Sequence, residues 1–269
     1  MQKAASSISS CRWDDLTART WLYPHCVVVS RVREPDPMIV MQARQACGLA
    51  TDAPLTSRQL AEGILRLLLA PLCQQDASAL CFAHNPYGKP FLPQHPAIQF
   101  NLSHTHSAFA FAFARYSQVG VDVERCQGQV DRKRAVAKRF FHPDEIRWLE
   151  SLDDVQFLSA FTRLWSRKEA YIKALGLGLH KSLESFSCLT DHQGALQVVD
   201  CGSVVTCRLS EEWVEGEPAV ALSCCLLPNA STDADTWRLL LLQDETVQDE
   251  TVQDETVQDE TPQDEAATR

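Results

Sequence analysis

Apolar residues along this chain recur with two different periods. From Thr56 to Leu72 the positions Leu60, Ile64, Leu67 and Leu68 fall on one stripe of a helix, and Thr56 or Ser57 can cap its start. Asp131 to Phe140, Pro143 to Glu150 and Asp153 to Leu175 also read as helices. Pro143 suits a first turn, and Asp144 and Glu145 sit at the end of the dipole that favours them. Elsewhere the period is two. Cys26 to Val32 resembles a first strand, broken by Pro35 and Pro37. Ala97 to Ser103 is a strand, and Ala108 to Ala114 alternates Phe109, Phe111 and Phe113 with Ala, a pattern for a strand covered on both faces. Val119 to Glu124 follows a turn at Ser117-Gln118. Beyond Gly178, Ser185 to Leu189, Leu196 to Val199, Val204 to Leu209, Ala219 to Leu227 and Thr236 to Leu242 read as strands.

Helix and strand thus appear together twice, before and after about Ser117. The expected architecture is α+β, in two halves with a cleft between them: residues 1–117, then 118–242. The remainder, 243–269, repeats Gln-Asp-Glu-Thr-Val, with Pro262 in place of Val in the fourth copy. A five-residue acidic repeat matches no helical or solenoid period and predicts disorder.

The tail changes how the charge is read. Of the formal net charge of −10, the tail carries −9 through ten acidic residues and one Arg. The body is left with 24 basic and 25 acidic residues, so no basic excess points to nucleic acid. Eleven Cys at irregular spacing, without a C-x-x-C pair, fit neither a disulfide framework nor a zinc site. No apolar segment precedes a cleavage site, and runs such as Ile64 to Leu72 are too short to span a bilayer. The expectation is a soluble, cytoplasmic protein with no membrane partner.

Four stretches carry candidate chemistry. In Gly120-Val121-Asp122-Val123-Glu124, the two carboxylates share one face of a strand. They repel unless a cation or basic partners intervene, although an exposed strand of solvated acids has the same pattern. Hard oxygen ligands in small number favour Mg²⁺. Asn101-Leu102-Ser103-His104 ends a strand with two groups able to donate to an anion. A serine hydrolase is disfavoured there, because no G-x-S-x-G elbow is present. Lys89, on the stiff turn Asn85 to Pro90, can offer its charge to a phosphate. From Leu164 to Leu179, Glu169 and Lys173 are four apart on one helix face with Lys168 beside them, and Gly176 and Gly178 can end the helix. By itself that spacing is also that of an ordinary surface ion pair. Arg58, in the first turn of its helix, is at the wrong end for the dipole and suits either solvent or a phosphate.

Taken in order, N-P-Y-G-K-P, N-L-S-H-T, G-V-D-V-E, R-F-F-H-P-D-E and L-W-S-R-K-E-A-Y-I-K-A-L-G-L-G-L closely resemble the Sfp-type 4′-phosphopantetheinyl transferases over about Arg58 to Leu189. The first 50 residues and the repeat tail do not. The resemblance implies a monomeric pseudo-dimer of two similar α+β halves with coenzyme A between them. It implies transfer of the phosphopantetheine arm to a serine of an acyl or peptidyl carrier protein, releasing adenosine 3′,5′-bisphosphate. By motif, Asp122, Glu124 and Glu169 are implied as Mg²⁺ ligands and Lys173 as the pyrophosphate contact. Ser103 and His104 are implied at the coenzyme A phosphates, Lys89 and Pro90 at the nucleotide, and Arg58 at a further phosphate. Glu169 is the candidate general base. The basic run Asp131-Arg132-Lys133-Arg134 with Lys138-Arg139 is a candidate dock for an acidic carrier, or a solvated helix face. The competing functions are a coenzyme A–Mg²⁺ binding module without transfer, and a Mg²⁺-dependent nucleotide phosphohydrolase.

Overall fold

A computed structural model describes residues 9–11, 25–30, 37–50, 54–105, 108–216, 218–228 and 237–242. The acidic repeat and the end of the expected first strand, Arg31 and Val32, lie outside the described residues. In chain order the strands are β1 (Ser9–Cys11), β2 (His25–Ser30), β3 (Ala83–His84), β4 (Pro90–Phe91), β5 (Ile98–Thr105), β6 (Ala108–Arg115), β7 (Gln118–Arg125), β8 (Phe186–Ser187), β9 (Val199–Asp200), β10 (Ser203–Val204), β11 (Arg208–Val214), β12 (Val220–Leu227) and β13 (Trp237–Leu242). The α-helices are α1 (Pro37–Ala46), α2 (Ser57–Cys73), α3 (Val130–Phe140), α4 (Pro143–Glu150) and α5 (Asp154–Leu175). The fold is α+β.

Helix starts follow the caps in the sequence. Thr56 accepts from the Gln59 N–H, and the Gln59 side chain returns the bond to Thr56 N–H. His142 and Glu145 do the same for α4, and Asp153 caps α5. Helix α5 ends at Gly176, whose φ of 69° is left-handed and suits a residue without Cβ. The sequence pattern does not reveal helix α1, since Pro37 reads there as a breaker. It occupies the first helical position, where its missing N–H leaves no bond unmade.

Two sheets are stacked between helices. The first has order β1-β13-β2-β6-β5, with β13 parallel to both neighbours and β6 antiparallel to β2 and β5. The second is antiparallel, β11-β12-β7. The alternation in β6 explains the stacking. Phe109, Phe111 and Phe113 pack with Leu60, Ile64, Leu65 and Leu68 of α2. The alanines at 108, 110, 112 and 114 instead meet Val119, Val121 and Val123 of β7 and Leu222, Cys224 and Leu226 of β12. Small side chains on one strand let the second sheet come close. Helix α5 covers the other face of β7 and β12. Its buried residues Leu164, Ala170, Tyr171 and Ala174 share a core with Phe141, Phe157, Phe186 and Cys225.

The later strands depart from the sequence reading. Val204 to Leu209 is not one strand but the end of β10 and the start of β11, because Val205 N–H turns back to Val198 O. Ser185 to Leu189 and Leu196 to Val199 shrink to β8 and β9, beside a single bridge between Thr190 and Leu196.

Candidate active site

Glycine sets the distance between α5 and β7. Gly120 lies beneath the helix, and a Cβ there would stand 2.1 Å from Ala170 O and 2.2 Å from Ala174 N. No side chain fits, so the helix lies directly on the strand. Gly120, Asp122 and Glu124 share this face by the period of two. Ser166 of α5 donates to the Asp122 main-chain oxygen at 3.2 Å, fixing the slide of helix against strand.

The result is an open cleft of about 460 Å³ lined by Leu102, Ser103, His104 and Thr105 of β5, Asp122 to Glu124 of β7, and Trp165, Glu169 and Lys173 of α5. Trp165, Glu169 and Lys173 are spaced by four and so form one stripe of the helix. Asp122 is 2% exposed. Its Oδ1 accepts from Lys173 Nζ at 2.6 Å and from Ser103 Oγ at 3.0 Å, and Lys173 also reaches Ser103 Oγ at 3.0 Å. Asp122 Oδ2 is buried without a partner. Burial, with Asp122 and Glu169 nearby, pushes the Glu124 carboxyl up to about 7, against the pull of Lys173 and Lys133. Burial and Asp122 likewise raise Glu169, opposed by Lys173. Asp122, Glu124 and Glu169 thus crowd one cleft, two of them raised and the third with an orphaned buried oxygen, and form a donor set that suits a hard divalent cation. Among the described residues no three His, Cys, Asp or Glu converge as a ready-made metal cage. The ammonium of Lys173 supplies the counter-charge at Asp122.

The other expected residues fall elsewhere. His104 is exposed at the cleft, its ring 6.3 Å from that of Phe109. Arg58 is exposed in the first turn of α2 and does not line the cleft. The Lys89 ammonium is not offered to the cleft. It donates to Val119 O at 3.0 Å, Ala174 O at 3.1 Å and Gln118 Oε1 at 3.3 Å. Burial pushes this amine down to about 8, with Cys225 opposing. Pro90 begins β4 opposite His84.

Lys168 corrects the expectation of a charged face shared with Glu169 and Lys173. One residue on a helix is a turn of about 100°, and Lys168 points into the core. It is fully buried, donating to Glu145 Oε2 at 2.7 Å and Phe186 O at 2.6 Å. Glu145 also accepts from Cys188 N at 2.7 Å and His142 N at 3.1 Å. The R-F-F-H-P-D-E stretch is therefore a support for α5. Phe141 stacks on Phe161 and Trp165, with centroids 5.3 and 5.9 Å apart, and so holds the tryptophan at the cleft.

Two asparagines have bridging roles that their local sequence does not show. Asn101 Oδ1 accepts from Val121 N–H at 2.9 Å, joining β5 to β7. Asn85 Nδ2 donates to Gly176 O at 2.7 Å, and its Oδ1 accepts from the N–H groups of Tyr87 and Lys89. An Asn opening a turn reads as local chemistry, and only the short apolar strand around Asn101 hinted at a buried role.

Residues 118–225 match the 4′-phosphopantetheinyl transferase superfamily. A 4′-phosphopantetheinyl transferase of Aneurinibacillus migulanus is 36% identical over 127 residues, 47% of this chain and 51% of that protein. One from Bacillus subtilis is 33% identical over 136 residues, 50% of this chain and 58% of the relative. The chain thus spans little more than half the length of these two relatives. The Sfp transferase of Bacillus subtilis strain 168 is 30% identical over 166 residues, 62% of this chain and 71% of that protein. On the strength of that longer match, the chain belongs to the Sfp-type 4′-phosphopantetheinyl transferase family.

Proposed function

We propose that this protein transfers the 4′-phosphopantetheine arm of coenzyme A to a serine hydroxyl of an apo acyl or peptidyl carrier protein, releasing adenosine 3′,5′-bisphosphate. The observation that carries the reading is the meeting of Ser103, Asp122, Glu124, Glu169 and Lys173 in one cleft, from three separate elements. Phosphoryl transfer asks for positioning and neutralisation of charge. Lys173 and Ser103 provide an ammonium and a hydroxyl side by side, suited to a pyrophosphate oxygen. His104, exposed at the rim, suits a further phosphate. Asp122, Glu124 and Glu169 would hold Mg²⁺, which supplies charge neutralisation at the pyrophosphate. Glu169, half-buried and raised, is suited to take the proton of the carrier serine. Arg58, Lys89 and Pro90 stand outside the cleft, and their assignment to the nucleotide rests on the resemblance alone.

The carrier surface is narrower than the basic run in the sequence. Arg134 is tied to Asp154 at 2.9 Å and lies over Phe157, while Lys133 lies 4.6 Å above the Phe161 ring. Arg132, Lys138 and Arg139 are exposed, and these are the charges we assign to an acidic carrier. No helix among the described residues is long and apolar enough to cross a membrane. We place the protein in the cytoplasm, as a monomer, on the resemblance.

The test is the intact mass of apo carrier proteins incubated with this protein, coenzyme A and Mg²⁺. A gain of the phosphopantetheine mass, abolished by EDTA and by Asp122→Ala, is expected. No gain across fatty-acid, polyketide and peptide-synthetase carriers, with coenzyme A still bound, points to a binding module. Coenzyme A consumed with the carrier unmodified points to a hydrolase.

A further inference from the structure

Strand register places Ser223 of β12 directly opposite Asp122 of β7. Opposed residues of an antiparallel pair project from the same face, with Cβ atoms roughly 4.5–5.5 Å apart. That face lies beneath α5: Gly120, Asp122 and Glu124 oppose Cys225, Ser223 and Ala221 in turn. Val220, Leu222, Cys224 and Leu226 project the other way, into the packing between the sheets. Ser223 is fully buried, and its Oγ has no hydrogen-bond partner. Asp122 Oδ2, on the facing residue, is also buried without one. A hydroxyl in an otherwise apolar run, Val220-Ala221-Leu222-Ser223-Cys224-Cys225, is unfavourable to bury unless it serves a polar neighbour.

We propose that Ser223 is a positioning residue for Asp122, donating its hydroxyl hydrogen toward Oδ2 through one buried water. Asp122 is then held from every side. Ser103 and Lys173 fix Oδ1, Ser166 fixes the main-chain oxygen, and Ser223 fixes the rotation of the carboxylate plane. A carboxylate oxygen has two lone pairs, so Oδ2 can accept from that water and still ligate a cation. Carboxylate ligands are themselves hydrogen-bonded, and loss of such a partner weakens metal binding. The proposal rests on the Mg²⁺–coenzyme A reading of the cleft, and its test separates the two.

The measurement is calorimetric titration of Mg²⁺ into the protein saturated with coenzyme A, for wild type, Ser223→Ala and Ser223→Cys, beside the thermal midpoint of each. Ser223→Ala is expected to weaken Mg²⁺ binding about tenfold or more and to lower the midpoint only modestly, since Oδ2 is left buried without its donor. Ser223→Cys, close in shape but a weaker donor, falls between the two. If the alanine variant does not fold, the cysteine variant decides by the same criterion. Mg²⁺ affinity in the folded variant within twofold of wild type overturns the positioning role, whatever the midpoint does. Absence of Mg²⁺ binding to the wild-type coenzyme A complex overturns both this role and the reading on which it rests.

Discussion

Asp122 and Glu124 lie two residues apart on one strand, yet the fold treats them differently. Asp122 has Lys173 and Ser103 on one oxygen. Glu124 has burial and two acidic neighbours, which push it to about 7. The raised value has a consequence for stability. A carboxyl whose folded pKa exceeds its unfolded one binds protons more tightly when folded, so its contribution is present at acid pH and is lost as pH rises from about 4.5 through about 7. The metal-free protein is therefore expected to lose thermal stability across that window, and Glu124→Gln to flatten the loss; parallel melting profiles against pH would refute the assignment. Lys168 offers a second contrast. Its ammonium and the Glu145 carboxylate are both fully buried. Lys168→Met leaves a carboxylate uncompensated in the core, and chemical denaturation should show a loss of about 3–5 kcal/mol. Replacing both, Lys168→Met with Glu145→Leu, is expected to recover part of that loss.

At the scale of elements, one contact decides the site: α5 on β7. The sequence shows both elements by period and cap, and it shows which carboxylates share a face. It does not show that Gly120 is the reason they approach. Gly120→Ala puts a methyl within 2.2 Å of the helix backbone, and a backbone cannot swing aside as a side chain can. The helix must lift or slide, at a cost of about 1–3 kcal/mol or more. Lifting α5 carries Glu169 and Lys173 away from Asp122, so the proposed transfer activity should fall further than the thermal midpoint alone accounts for. A variant with wild-type turnover would mean the helix absorbs the methyl without moving the site. The sequence also put Lys168 on the wrong side of α5, because charge pattern is read along the chain and burial is set by what packs against it. Glu145, the partner that draws Lys168 inward, is 23 residues away. The supporting roles of Phe141 and Asn101 were hidden for the same reason.

At the scale of the molecule, the chain crosses between its two stacked sheets in ways no local pattern records. Trp237–Leu242 was legible as a strand, but not its place between β1 and β2 in the first sheet. The turn from Asn85 to Pro90 was legible as a turn, but not as a clasp. It precedes β5 in the chain yet grips the end of α5, some 90 residues later. Asn85 Nδ2 holds Gly176 O, and Lys89 Nζ holds Ala174 O and Val119 O. The last carbonyls of a helix lack internal partners and carry its negative dipole end, so an ammonium and an amide donor are well suited to them. Lys173 is next to Ala174, so the clasp also sets where the ammonium of the cleft stands. Asn85→Ala removes the bond to Gly176 and the two that close the turn, and should lower stability by about 1–3 kcal/mol. Asn85→Asp separates the two roles. It keeps the oxygen that accepts from Tyr87 and Lys89 N–H, but sets a carboxylate oxygen against the Gly176 carbonyl. If the clasp positions Lys173, Asn85→Asp should lower kcat, with an intact turn and near-native helix content by circular dichroism. Turnover equal to wild type in Asn85→Asp would confine Asn85 to its own turn and leave the end of α5 placed by its remaining contacts, Lys89 on Ala174 O among them.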